Sequence, residues 1–191
     1  DYNVPLKGET IVDDNRIRQS LPTLQLALDG GASLVICSHL GRPKGAPDPQ
    51  FSLKPVAVRL AELLGREVKM APDCVGPEVK AMADALKPGE VLLLENLRFH
   101  PGETKNDPDF SRELASLGQV YANDAFGASH RAHASVVGVT EFLDDCCGGL
   151  LLKKEWQYLG EALKDPARPF VAIIGGAKVS SKLGVLKALM D

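Results

Sequence analysis

Arginine, histidine and asparagine recur directly after the short apolar runs of this sequence. Ser38-His39-Leu40-Gly41-Arg42-Pro43 follows Leu34–Cys37, and Glu95-Asn96-Leu97-Arg98-Phe99-His100-Pro101-Gly102 follows Val91–Leu94. Asn123-Asp124-Ala125-Phe126-Gly127 and then Ser129-His130-Arg131-Ala132-His133 follow Val120–Ala122. Asp1 and Asn3 end a first strand that reads as already under way, and Arg16 opens the helix after it. Arginine suits anion recognition because its planar fork donates two parallel hydrogen bonds to a carboxylate or phosphate. Singly, each of these arginines also reads as a solvated loop residue or a helix-end ion-pair partner, worth little. As a set at strand ends, they form a local cationic basket for a small ligand with several negative charges.

A second cluster is Gly175-Gly176-Ala177-Lys178-Val179-Ser180-Ser181-Lys182. It follows a β-type run and opens a helical pattern, where free backbone N–H groups can face phosphate. Its glycines permit close backbone approach, and Lys178 and Lys182, four apart, can project from one face. The spacing is neither G-x-x-x-x-G-K-[ST] nor G-x-G-x-x-G, so a plain glycine turn with two exposed lysines remains open. Together the two clusters describe a site for a small anion and a site for a nucleotide. Phosphoryl transfer asks mainly for positioning and positive charge at the moving group, so a kinase reading follows from the residues.

Other chemistries find less support. His130 and His133 have a spacing that two metal ligands could use, but no carboxylate completes H-E-x-x-H. Contact with an anionic ligand or a structural hydrogen bond fits them better. Gly-x-Ser-x-Gly does not occur. Cys37, Cys74 and the adjacent Cys146 and Cys147 form no C-x-x-C pair, and neighbouring cysteines bridge only with strain. Inert thiols in a reducing cytosol are the expectation.

The elements that must position these residues alternate almost from end to end. Leu34–Cys37, Val68–Met70, Val91–Leu94, Val120–Ala122 and Phe170–Ile174 read as strands, the third apolar throughout, as inside a sheet covered on both faces. Helices are expected over Leu53–Leu64 (Ser52 as N-cap, Pro55 in the first turn, Gly65 as stop), Pro77–Leu86, Pro108–Leu117 (capped by Asp107) and Leu150–Leu163. Strand, loop and helix in repetition argue for a doubly wound parallel α/β sheet, whose ligands bind at the carboxyl ends of its strands. Asp165–Pro169 is the best candidate joint between domains.

The chain has 191 residues, 45% hydrophobic, 5% aromatic and 25% charged, an ordinary globular composition that excludes a disordered or fibrous protein. That length allows one large domain or a domain and part of another. With Lys+Arg 22 against Asp+Glu 25, the net charge of -3 lacks the basic excess of a general nucleic-acid binder. No apolar run approaches the roughly 18 residues of a membrane span. The sequence lacks an initiator Met, and Val179–Met190 is a helical pattern without a stop signal, so a fragment is expected.

Asp-Tyr-Asn-Val-Pro, Ser-His-Leu-Gly-Arg-Pro, Glu-Asn-Leu-Arg-Phe-His, Asn-Asp-Ala-Phe-Gly, His-Arg-Ala-His and Gly-Gly-Ala-Lys-Val-Ser-Ser-Lys, in this order, resemble the phosphoglycerate kinases. The resemblance runs from Asp1 to Asp191. It departs at Tyr2, where the family usually has Phe.

The resemblance implies a glycolytic enzyme of two α/β domains that reversibly transfers the acyl phosphate of 1,3-bisphosphoglycerate to ADP, giving 3-phosphoglycerate and ATP. On its pattern residues 1–149 form the triose-binding N-terminal domain, 150–168 the interdomain helix and hinge, and 169–191 the start of the nucleotide domain. Asp1, Asn3, Arg16, His39, Leu40, Gly41, Arg42, Arg98 and Arg131 would hold the triose substrate, with His130 a weaker carry-over. Arg16 would also stabilise the phosphoryl group in flight. Lys178 would guide that group across, while Gly176, Ala177 and Lys182 would serve the nucleotide. Mg2+ would come with ADP or ATP, its ligands lying beyond this chain. The expected setting is a cytoplasmic monomer at full length, with neither nucleic acid nor membrane as partner. The alternative is that this chain is only a 3-phosphoglycerate-binding module without turnover.

Overall fold

Consecutive apolar residues make the central strand, and the helices follow from how its two faces are covered. In a computed structural model that describes residues 1–161 together with 164, 166, 168–171, 173, 184 and 187, β5 (Val91–Leu93) lies between β3 (Leu34–Ile36) and β4 (Val68–Met70), all parallel. Val91 is the shared register point, opposite both Leu34 and Val68. Alternation along the strand sends Leu92 and Leu94 to one face and Leu93 to the other. Leu92 and Leu94 pack with Val79 of α3 (Pro77–Asp84) and with Phe110 and Leu114 of α5 (Pro108–Ala115). Leu93 packs with Ile17 of α1 (Asn15–Asp29) and with Val56, Ala57 and Leu60 of α2 (Lys54–Leu64). Helices on both faces of a parallel sheet are the doubly wound arrangement that the alternating pattern implies.

The chain divides into two units, Asp1–Leu152 and Lys153–Asp191. The first also holds a hairpin, β1 (Leu6–Lys7) with β2 (Thr10–Ile11), a short helix α4 (Pro101–Lys105), and a parallel pair, β6 (Val120–Asn123) with β7 (Asp145–Gly148). β7 has no counterpart among the expected strands. Its Asp-Cys-Cys-Gly sequence is exposed throughout and carries no β-branched or alternating signal. α6 (Leu150–Trp156) begins where the long helical pattern does, but at Gln157–Glu161 the chain turns π-helical.

Local chemistry corrects several sequence readings. Residues 1–5 belong to no strand, because the Tyr2 N–H donates to the Ser38 Oγ (2.6 Å) rather than to a ladder carbonyl. Ser52 is not the N-cap of α2. Its hydroxyl donates to Glu95 Oε2 (2.7 Å), while Glu95 Oε1 takes the Leu53 N–H (2.8 Å), so a carboxylate from beyond β5 closes the helix start. Asp107 does cap α5, accepting from the Asp109 and Phe110 N–H groups. Of the expected strand Phe170–Ile174, Phe170, Val171 and Ile173 are described, and the rest of that stretch lies outside the described residues. In the last helical pattern Gly184 and Lys187 are helical, and Gly176, Ala177, Lys178 and Lys182 lie outside the described residues. Among the described residues no helix is long and apolar enough to cross a membrane.

Candidate functional site

Asn96, directly beyond β5, is fully buried and organises the strand ends around it. Its Oδ1 accepts from the N–H groups of Leu40 (3.2 Å) and Arg98 (3.0 Å). Its Nδ2 donates to the carbonyls of Leu40 (2.7 Å) and Phe51 (2.9 Å). One side chain thus ties the loop after β3 to the turn that carries Arg98. A buried amide with every bond made holds its partners in one arrangement, since any other leaves polar groups unpaired.

The loop itself turns at Gly41. Its N–H donates to Asn3 Oδ1 (2.8 Å), and its carbonyl accepts from Arg98 Nη1 (2.9 Å). Its φ of 62° is left-handed, and a Cβ there would overlap the Phe51 ring, so glycine is required twice over. The Leu40 and Gly41 N–H groups are therefore both engaged inside the protein. A pocket of about 470 Å³ opens beside Asn3, Leu40, Gly41 and Phe51.

His39 and Asp1 meet at 2.8 Å through Nδ1 and Oδ1, and the same carboxylate oxygen accepts from Ser38 Oγ (2.9 Å). Burial first, then the positive charge of Arg98, lower the His39 pKa from its usual 6.5 to about 4. The ring is therefore neutral near pH 7, and its proton sits on Nδ1, donated to Asp1. What the pair makes is a hydrogen bond that fixes the ring, not an ion pair.

Arg98 is the hub of the basket. Burial, followed by the charges of Arg131 and Arg42, lowers its pKa, with Glu103 acting in the opposite sense. These cations are thus close enough to act on Arg98 through their fields. Arg98 Nε is buried and has no hydrogen-bond partner among the described residues. Arg42 and Arg131 are exposed, and Arg131 Nε approaches His130 Nε2 at 3.4 Å. Arg16 is exposed in the first turn of α1, where its charge acts on the Asp1 nitrogen. Asp1, Asn3, His39, Leu40, Gly41 and Arg98 are thus joined by direct bonds or through Asn96, while Arg16, Arg42 and Arg131 are linked through their fields. Asn96, Glu95, Ser38 and Glu103 escaped sequence reasoning as positioners, although the first two stand in the Glu-Asn-Leu-Arg motif.

Two other clusters among the described residues are already engaged. Asp73, Cys74 and His100 each offer a donor atom within 4.8 Å of the others. His100 Nε2 already pairs with Asp73 Oδ1 (2.5 Å), and the Cys74 thiol, its pKa raised by burial, donates to the Glu95 carbonyl (2.9 Å). A larger cavity of about 840 Å³ is lined by Glu9, Asp13, Asp14 and Glu62 against Lys54 and Arg59, with Arg59 and Asp14 paired at 2.8 Å. Its balance of charge does not suit a polyanion.

The phosphoglycerate kinase family model matches residues 1–191. The chain is 60% identical over 190 residues to the phosphoglycerate kinase of Moorella thermoacetica and 58% identical over 190 residues to that of Chloroherpeton thalassium, in each case over 100% of this chain and 48% of the relative. Among solved structures, phosphoglycerate kinase from Coxiella burnetii superposes with a TM-score of 0.85 at 39% identity, and that from Pyrococcus horikoshii with 0.87 at 32%. Both alignments take in 97% of this chain, against 46% and 47% of theirs. With the family model matched from the first residue to the last, and with about half the length of these relatives spanned, the chain belongs to the phosphoglycerate kinase family.

Proposed function

We propose that the basket around Arg98 binds the triose acid, 3-phosphoglycerate or 1,3-bisphosphoglycerate, of a reversible phosphoryl transfer to ADP. The observation that carries this reading is the buried, unpartnered Arg98 Nε amid mutually repelling cations. A buried donor without an acceptor is costly, and a ligand oxygen relieves it together with the repulsion. On this reading Arg98, Arg42 and Arg131 hold the phosphate and carboxylate, and Asn3 and the Leu40–Gly41 turn shape the wall. Asp1 orients His39 through Nδ1, which leaves Nε2 as a neutral acceptor for a substrate hydroxyl. Arg16 neutralises charge that develops as the phosphoryl group leaves the acyl oxygen. Lys178 is assigned to the moving group, and Gly176, Ala177 and Lys182 to the nucleotide. Mg2+ travels with ADP or ATP. A basket of arginines does not suit a cation, and on the family resemblance its ligands lie in the part of the relatives that this chain does not span. Residues 1–149 are read as the triose domain, 150–168 as hinge and 169–191 as the start of the nucleotide domain. A cytoplasmic monomer fits four unbridged cysteines.

A second reading rests on the coverage of only 48% of the relatives: the chain by itself binds triose acid but does not turn over. Calorimetric titration of 3-phosphoglycerate into the 191-residue chain tests the first reading and a coupled ATP assay the second. We expect weak binding and no turnover. A folded chain that gives no heat sinks the basket, and a rate above blank sinks the binding-only reading.

A further inference from the structure

α4 carries a buried carboxylate to which the triose-binding reading assigns no role. Glu103 is 2% exposed, and all its side-chain partners come from one segment thirty residues downstream. Its Oε2 accepts from the Ser135 N–H (3.0 Å), its Oε1 from Ser135 Oγ (2.7 Å), and His133 Nδ1 lies 3.4 Å from Oε1. Its backbone carbonyl takes the Ala134 N–H (2.9 Å), and the Ser135 carbonyl accepts from the Tyr121 hydroxyl (2.7 Å) on β6. Glu103 stands five residues after Arg98, and Arg131 four before Ser135, so this anchor joins the two stretches that supply basket arginines. Burying a carboxylate costs several kcal/mol unless hydrogen bonds and nearby cations offset it. Here both are present: Glu103 opposes the effect of the other cations on Arg98, His39 and His133. An anchor for Ser135 alone would need only a neutral acceptor, and the charge is what the cations use.

We propose that Glu103 is a positioning residue for the anion site, anchoring the His133–Ser135 turn so that Arg131 faces the ligand held by Arg98. Its charge also offsets the repulsion among the basket's cations. The proposal rests on the triose-binding reading. Glu103→Ala removes anchor and charge, and Glu103→Gln keeps an acceptor for Ser135 but removes the charge.

The test is a double-mutant cycle in the 191-residue chain. Affinity for 3-phosphoglycerate is measured for Glu103→Ala, Arg131→Ala and the pair, with the fold of each checked by circular dichroism. Glu103→Ala is expected to lose about tenfold or more, and the double variant little beyond Arg131→Ala, because Arg131 is already misplaced. Losses that multiply overturn the proposal, since a general destabilisation acts independently of Arg131. Should the alanine variant not fold, the cycle is run with Ser135→Ala, which removes the hydroxyl bond to Glu103 Oε1 from the other side, with the same criterion. NMR titration of His133 gives a readout that needs no ligand. Facing Glu103 of α4, Arg98 of the turn after β5 and Arg131 of its own segment, its pKa should fall in Glu103→Gln. An unchanged titration removes Glu103 as counter-charge. If the unaltered chain binds no 3-phosphoglycerate, the triose reading fails instead, and the titration still judges the counter-charge.

Discussion

His39 shows how one buried side chain turns site geometry into a pH dependence. Its folded pKa of about 4 lies below the 6.5 of an unperturbed ring, chiefly through burial. A histidine lowered on folding binds its proton more tightly in the unfolded chain, so protonation favours unfolding. The stability gained by keeping it neutral is fully present above pH 6.5 and drains away as the pH falls towards 4. We expect the urea midpoint to drop over that window and the drop to be shallower in His39→Gln, with NMR titration of the ring placing its pKa near 4. A ring that titrates at 6.5 in the folded chain would show that it is solvated and not fixed on Asp1. At this scale the sequence was legible in residue types: arginines and histidines after apolar runs marked the site. The positions of Asn96 and Glu95 as organisers were not legible, because four bonds from one amide and a helix closed from 43 residues away depend on chain crossings that no local pattern records.

The elements are bound to the site by similar long-range caps. α6 starts on groups from α1 and from the loop after β6: Leu152 N–H donates to Asp124 Oδ1 (2.9 Å) and Leu150 N–H to Thr23 Oγ1 (2.9 Å). Thr23 in α1 in turn donates to Asp124 Oδ2 (2.6 Å), and a Cβ at Gly149 would overlap the Asp124 side chain. A carboxylate at a helix start satisfies orphan N–H groups and complements the dipole. Asp124→Ala should therefore cost about 1 kcal/mol, within the usual 0.5–2 for a lost cap, and speed amide exchange at Leu150 and Leu152 while leaving β5 protected. Unchanged exchange at those two amides would mean that Asp124 does not hold the helix. The start of α6 at Leu150 was readable from the Gly148-Gly149 pair and the apolar spacing beyond it. The β7 strand just before it was not, since Asp145–Gly148 owes its extended form to pairing with β6 rather than to its own composition. β5 was the reverse case: the apolar run Val91–Leu94 reads as a strand covered on both faces, and all four residues are buried.

For the whole molecule, net charge and local charge point in opposite directions, and salt separates them. A chain of charge -3 repels an anionic ligand over distances comparable to the Debye length, about 30 Å at 0.01 M and 10 Å at 0.1 M. If that overall field governed binding, added salt would screen the repulsion and raise affinity for 3-phosphoglycerate. The basket predicts the contrary. Arg42, Arg131 and Arg16 are exposed, so salt screens their pull, whereas Arg98 is half-buried and bonded to the Gly41 carbonyl, so its share persists. Affinity should thus fall between 0.01 and 0.15 M salt and then level off, with Arg98→Lys lowering the plateau and Arg42→Ala flattening the slope. Lysine keeps the charge but loses the fork that supplies Nε, which makes the plateau a measure of bidentate contact. Titrations at three salt concentrations decide between the two fields. An affinity that rises with salt would place the ligand away from the basket and leave its arginines as solvated loop residues.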